Sequence, residues 1–177
     1  MKEKLNILYT CDDAYLSLTS ISIASVIENN PDIEICFYLA TESENSDNFR
    51  RISDFYRDNG HVEFRYLDCM KYDPLLREKG FDRWGSNSFY VYWKLFAYDL
   101  LDVDRIWYLD SDVLCLRKID DPSIEKTVGA VLDSAHADFN RLAHIDESYY
   151  LFNTGSLYVD VRKWKENECL NRSEERR

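Results

Sequence analysis

Long hydrophobic runs are missing from this chain. Nowhere do about 18 apolar residues follow one another, the length that a membrane-spanning helix requires. The apolar run at residues 5–9, behind Lys2 and Lys4, is too short for the core of a signal peptide. Glycine and proline are scarce, five and three among 177 residues, which leaves little material for linkers or low-complexity tails. Paired cysteine motifs are absent as well: Cys11, Cys36, Cys69, Cys115 and Cys169 are odd in number and contain no Cys-x-x-Cys. That excludes a zinc knuckle and a full disulfide framework, and reduced, mostly buried thiols are expected instead. Positive charge is in deficit, with 22 basic against 33 acidic residues and a formal charge of -11, a poor match to nucleic acid or an anionic membrane. The expectation is a soluble, unexported, cytoplasmic chain without a nucleic-acid partner.

What is present, 45% hydrophobic and 31% charged residues, suits one globular domain with a sizeable core. Residues 5–10 read as a buried strand that delivers Cys11, Asp12, Asp13 and Ala14 to a turn. A helix then places Leu16, Ile23, Ala24 and Ile27 near helical spacing and stops at Pro31. Residues 33–39 form a second strand, and residues 46–59 a polar helix in which Phe49, Ile52, Phe55 and Tyr56 recur at three and four before Gly60. Residues 62–67 make a third strand. Residues 72–101 read as helical or irregular, with the aromatic-rich 88–101 the better helix, and strands follow at 105–109 and 128–132. Residues 135–148 look like a polar excursion, and residues 156–161 alternate as a last strand. This alternation predicts an α/β fold with a mostly parallel sheet, whose ligands bind outside the carboxyl ends of the strands. Residues 1–170 are read as one domain and the charged residues 171–177 as a fraying tail.

The apolar run Ile106, Trp107, Tyr108, Leu109 ends in two carboxylates one residue apart, Asp110 and Asp112. Leaving a strand with a period of two, they point the same way. Carboxylates aimed together repel one another unless a cation or basic group lies between them. A hard divalent cation prefers such oxygen ligands and fills its remaining positions with water and substrate phosphate. The segment therefore reads as a metal and phosphate site. Asp12, Asp13 and Asp133 fall on the same sheet edge. Lys94, Asp133 and Asn153 each suit an ordinary structural role, as an amphipathic-helix lysine, a strand-ending aspartate and a turn asparagine. Together they would supply a cation for phosphate or sugar oxygens and two groups able to bond hydroxyls. His61, His136 and His144 have no ligand-like spacing and receive no role.

Other classes share parts of this pattern. Haloacid-dehalogenase-type phosphatases also follow a hydrophobic strand with Asp-x-Asp, the first aspartate acting as nucleophile, which would be Asp110 here. That motif usually sits near the chain start, and the only later acidic doublet, Asp120 and Asp121, is too close. Receiver domains carry an acidic pair after the first strand, but the candidate acceptor Asp54 lies in a predicted helix. A non-catalytic nucleotide-binding remnant is the third reading.

With these residues in hand, the chain resembles glycosyltransferase family 8, retaining enzymes that include bacterial lipopolysaccharide glucosyl- and galactosyltransferases and the glycogenins. Residues 6–15 (NILYTCDDAY) look like the nucleotide-binding opening, which implies that Thr10 and Asp12 meet uracil and that Tyr15 stacks on it. Residues 92–95 (YWKL) resemble the block that offers a basic residue, Lys94, to the donor. Residues 104–114 (DRIWYLDSDVL) look like the metal-binding block, with Asp110 and Asp112 as ligands and Ser111 between them. Residues 150–164 (YLFNTGSLYVDVRKW) resemble the Phe-Asn-x-Gly block that touches the transferred sugar through Asn153 and Gly155. Residues 129–133 (GAVLD) agree more weakly and bring Asp133. The resemblance implies a nucleotide-diphospho-sugar transferase domain of GT-A type, an α/β/α sandwich. It also implies Mn2+ or Mg2+ as cofactor, a UDP-hexose donor (glucose or galactose), a saccharide or glycolipid acceptor, and Lys94, Asp133 and Asn153 as the residues nearest the chemistry.

The chain departs from the family pattern in three places. The basic residue is lysine where arginine is frequent, and Ala14 stands where relatives often carry a polar residue. After Trp164 neither the Gln-Asp or Asp-Gln block nor the His-x-x-Gly-x-x-Lys-Pro-Trp block appears. The expectation is a C-terminally truncated relative, short of a third metal ligand and a diphosphate-binding lysine, with poor or absent turnover. Loss of that covering segment predicts bared apolar surface around residues 149–152 and Trp164, and hence self-association.

Overall fold

The computed structural model describes residues 4–81, 89–134, 146 and 151–174. Six strands form one sheet: β1 (Lys4–Thr10), β2 (Glu34–Ala40), β3 (Val62–Leu67), β4 (Arg105–Leu109), β5 (Val128–Leu132) and β6 (Phe152–Asp160). Their order across the sheet is β3-β2-β1-β4-β6-β5. The first four run parallel, whereas β6 runs antiparallel to both β4 and β5. The mostly parallel α/β fold is thus present, with a reversed strand that apolar patterning alone does not reveal.

β1 from Ile7 to Tyr9 and β2 from Ile35 to Ala40 are continuously apolar because both faces of the sheet are covered. Ile7 and Tyr9 on β1, with Ile35, Phe37 and Leu39 on β2, face one layer of helices. That layer is α1 (Leu16–Asn29) and α2 (Asp47–Phe55). Leu8, Cys36, Tyr38 and Ala40 face the other layer, packed with Trp93, Phe96 and Ala97 of α4 (Tyr90–Leu100). Also on the chain between β3 and β4 are a 3-10 turn (Met70–Tyr72) and α3 (Asp73–Glu78). The chain closes with α5 (Val161–Glu166) and α6 (Cys169–Glu174). Among the described residues, no helix is long and apolar enough to cross a membrane.

Several boundaries differ from the sequence expectation for identifiable reasons. The helix expected over 46–59 is capped by Ser46, whose side chain accepts from Phe49 N, and ends at Phe55, which lies exposed rather than in the core. On α1 the buried face is Leu16, Thr19, Ser22, Ile23 and Val26, with Ala24 and Ile27 only half-buried. Two hydroxyl residues belong to that face because they have polar partners there, described below. β6 begins four residues earlier than expected, at Phe152, and Val161 belongs to α5. Trp164, expected to be bared, is 8% exposed and packs against Tyr98 with ring centroids 4.9 Å apart. Phe152 is exposed as expected. The tail expected to fray from Asn171 is helical to Glu174. The polar excursion at 135–148, which includes His136 and His144, lies outside the described residues apart from residue 146, as do Ser88 and residues 149 and 150.

The order β2-β1-β4 sets the position of the site. From β1 the chain winds outward to β2 and β3 and then returns to lay β4 on the other flank of β1, so the winding direction reverses between β1 and β4. A crevice opens outside the carboxyl ends at such a reversal, and residues 11–15 and 110–112 flank it.

Candidate functional site

A cavity of about 300 Å³ occupies that crevice, lined by Thr10, Cys11, Asp12, Tyr15, Tyr90, Val91, Tyr108, Asp110, Ser111 and Asp112. Six of the expected site residues therefore share one cavity: Thr10, Asp12, Tyr15, Asp110, Ser111 and Asp112. Lys94 and Gly155 adjoin it through Asp110, and Asn153 adjoins Gly155. Asp133 stands farther out, at the end of β5, with its N–H donating to Leu151 O at 3.0 Å; β6 separates it from β4. A larger cavity of about 820 Å³ lies at the opposite, amino edge, around Lys4, Asn6 and Arg105. Its cations are already paired, Lys4 with Glu63 at 2.9 Å, Arg105 with Asp121 at 2.6 Å and Arg162 with Asp104 at 3.5 Å. Chemistry favours the smaller space.

The wall from β1 is a short turn. Asp12 Oδ1 accepts from Tyr15 N at 2.7 Å, which tightens the turn and leaves the Tyr15 ring 57% exposed over the cavity. Burial pushes the Cys11 thiol up to about 11, so it is neutral and unreactive in place. From α4, Tyr90 donates its hydroxyl to Glu42 Oε1 at 2.8 Å.

The opposite wall is held by α1. Thr19 Oγ1 is hydrogen-bonded to Ser111 Oγ at 2.8 Å. Ser22 Oγ donates to Val113 O at 2.5 Å, Cys115 N donates to Ser25 Oγ at 2.9 Å, and Asn29 Nδ2 donates to Cys115 O at 3.0 Å. Ile119 N donates to Asn30 Oδ1 at 2.9 Å. The extended chain after β4 is thus laced along α1, which explains a helix rich in serine and threonine on its buried side.

Beneath the acid pair, the Lys94 side chain is only 12% exposed. Its Nζ donates to Thr154 O at 3.1 Å, lies 4.2 Å from the Tyr108 ring centroid and 4.0 Å from Asp110 Oδ1. Burial lowers the Lys94 pKa, and the Asp110 charge opposes that shift. The Tyr108 phenol donates to Asp110 Oδ1 and lies 3.3 Å from Thr10 Oγ1. Burial, and then Asp110, push the Tyr108 pKa upward and keep it a neutral donor.

The donor set suits a divalent cation of the magnesium or manganese kind: oxygen atoms alone, from two carboxylates at one strand end. Among the described residues no third His, Cys, Asp or Glu joins them in a cluster of three. Water and other oxygen donors would complete the shell.

Sequence reasoning missed Cys11, Tyr90, Val91 and Tyr108 as lining residues. For Tyr108 the signal was available, since a residue two before Asp110 on a strand shares its face. Tyr90 and Val91 reach the cavity only through the packing of α4.

The architecture has known counterparts. The crystal structure of galactosyltransferase LgtC in complex with donor and acceptor sugar analogs superposes with a TM-score of 0.68 at 22% identity, covering 92% of this chain and 60% of that one. The fold is therefore that of the GT-A glycosyltransferases. The model of glycosyl transferase family 8 matches residues 6–176, and the chain belongs to that family. It is 28% identical over 186 residues to lipopolysaccharide 1,2-glucosyltransferase of Escherichia coli K12, covering 97% of this chain and 52% of that protein. It is 27% identical over 177 residues to lipopolysaccharide 1,3-galactosyltransferase of Salmonella typhimurium, covering 92% and 50%. The chain spans about half the length of these curated relatives. Family membership disfavours the phosphatase reading of Asp110.

Proposed function

We propose that this chain is the donor-binding part of a retaining hexosyltransferase that moves glucose or galactose from a UDP-sugar to a saccharide or lipopolysaccharide-type acceptor. The observation that carries the reading is the single crevice shared by Thr10, Asp12 and Tyr15 on one side and Asp110, Ser111 and Asp112 on the other. Tyr15 offers an exposed ring for stacking on uracil, and Thr10 and Asp12 offer polar atoms to its edge. Asp110 and Asp112 hold Mn2+ or Mg2+. The cation, when bound, supplies Lewis-acid stabilisation of the departing diphosphate.

Lys94 stands beside the acid pair as a buried positive charge, placed to meet phosphate or sugar oxygens. Asn153, at the start of β6, and Asp133, farther along the same edge, would bond hydroxyls of the hexose. In the reaction the anomeric carbon loses its bond to the phosphate oxygen and gains one to the acceptor oxygen, whose proton is released. Retention puts the new bond on the face from which UDP departs.

Calorimetric titration with UDP, with and without manganese, tests the reading. Binding should depend on manganese and be lost when Asp110→Asn is combined with Asp112→Asn. Identical UDP affinity in the double variant would overturn the metal role. Intact UDP-glucose and UDP-galactose after incubation with acceptor, despite UDP binding, would identify a non-catalytic binding domain instead.

A further inference from the structure

The Asp110 carboxylate sits between two unlike walls. On one side the Tyr108 phenol donates to Oδ1, and the Lys94 ammonium approaches the same oxygen at 4.0 Å. On the other side, a Cβ placed on Gly155 would lie 2.8 Å from Oδ2 and 3.0 Å from Asn153 Oδ1. Two hydrogen bonds of the Gly155 main chain fix this proximity. Asp110 N donates to Gly155 O at 2.7 Å, and Gly155 N donates to Asn153 Oδ1 at 2.7 Å. The register supports it: between Ala130 and Val131 the partner on β6 jumps from Leu157 to Asn153, so residues 154–156 bulge out of the β5 ladder. Oδ1 is thus committed to this chain, while Oδ2 lies against Gly155 in room that exists only because residue 155 has no side chain.

Resting on the reading that Asp110 holds the cation, we propose that Tyr108 is a positioning residue that commits Asp110 Oδ1 and so presents Oδ2 to the metal. Gly155 keeps the room that this carboxylate needs. A carboxylate free to rotate about its last bond would offer either oxygen to the cation and lose that freedom on binding. Tyr108 removes the choice beforehand. Its own placement is secured by burial of the ring and by the contact with Thr10, which belongs to β1. Partners behind a metal ligand typically change metal affinity by about 10–100-fold when removed. The role given to Gly155 here is steric and acts on Asp110, in place of a contact with sugar.

The test compares the full chain with Tyr108→Phe and with Gly155→Ala. Each is titrated calorimetrically with UDP in the presence and absence of manganese, and thermal melting checks that each is folded. The quantity read is the ratio of the two UDP affinities. We expect that ratio to fall about tenfold in both variants. A loss of packing alone lowers both affinities together and leaves the ratio unchanged, and that result in Tyr108→Phe overturns the proposal while the metal reading stands. A ratio of one in the unsubstituted chain overturns the metal reading, and this proposal with it. If Tyr108→Phe does not fold, Gly155→Ala decides: an unchanged ratio there overturns the proposal.

Discussion

Thr19 and Ser111 are joined by a 2.8 Å hydrogen bond between their hydroxyl oxygens, across 92 residues of chain. Thr19 is fully buried and also donates to Tyr15 O at 2.9 Å, so one side chain touches both walls of the crevice. Thr19→Val keeps the shape and removes both bonds. The expected result is a loss of about 1–2 kcal/mol in unfolding free energy, read from the urea midpoint at unchanged slope. A variant as stable as the parent would show that the lacing begins elsewhere.

Asn30 anchors the far end of the same lacing. It is 1% exposed, accepts from Ile119 N at 2.9 Å and donates to Val26 O at 2.8 Å. Asn30→Ala leaves the Ile119 N–H without its partner, so a destabilisation of about 1–3 kcal/mol is expected by chemical denaturation. Hydrogen exchange at the Ile119 amide should quicken at the same time.

Tyr15 separates binding from stability, because its ring is largely exposed. Tyr15→Ala should lower UDP affinity by about tenfold, the scale of one base stacked on one aromatic ring. Its thermal midpoint should stay with that of the parent, and Tyr15→Phe should retain the affinity. Calorimetry and a melting curve decide the matter together.

Acid stability should depend on Glu63. Its hydrogen bonds with Arg65 and then Lys4 lower its pKa to about 2. A carboxylate depressed in the folded state contributes stability that is fully present above its unfolded value and is lost as pH falls through the folded one. The window therefore runs from about pH 4.5 down to about 2. Because the side chain is 46% exposed, solvent screening holds the contribution below about 1 kcal/mol. Glu63→Gln should flatten the loss of stability across that window, measured by urea unfolding at pH 6 and pH 3. An acid limb as steep as the parent's would assign it to other carboxylates.

Much of the fold was legible because apolar runs and period-two alternation mark strands. The runs at 62–67, 105–109 and 128–132 matched their strands residue for residue. The acid pair was legible for the same reason, since it interrupts an apolar run. The direction of β6 was not, because alternation is identical in a parallel and an antiparallel strand. The polar face of α1 also escaped, since Thr19 and Ser22 look solvent-facing until the segment after β4 is laid beside them. Tyr108 was legible as a residue on the same strand face as Asp110, but that its phenol reaches Oδ1 was not, because the side-chain conformations decide it. Lys94 and Asn153 were legible as candidate side chains, and the family resemblance brought in Gly155, whose proximity to Asp110 depends on the bulge in β6.

β4 carries a consequence for how the molecule assembles. Thr10 and Tyr108, which meet across its junction with β1, are 98 residues apart in the chain, and its other neighbour, β6, comes later still. The unit from β1 to β3 pairs only strands that follow one another, so its loops are short to close. β4 must instead enter between an early strand and a late one, after the larger loop entropy has been overcome. The acid pair rides on that strand. In a refolding experiment, recovery of nucleotide affinity should therefore trail the recovery of helical signal, and the lag would time the insertion of a single central strand.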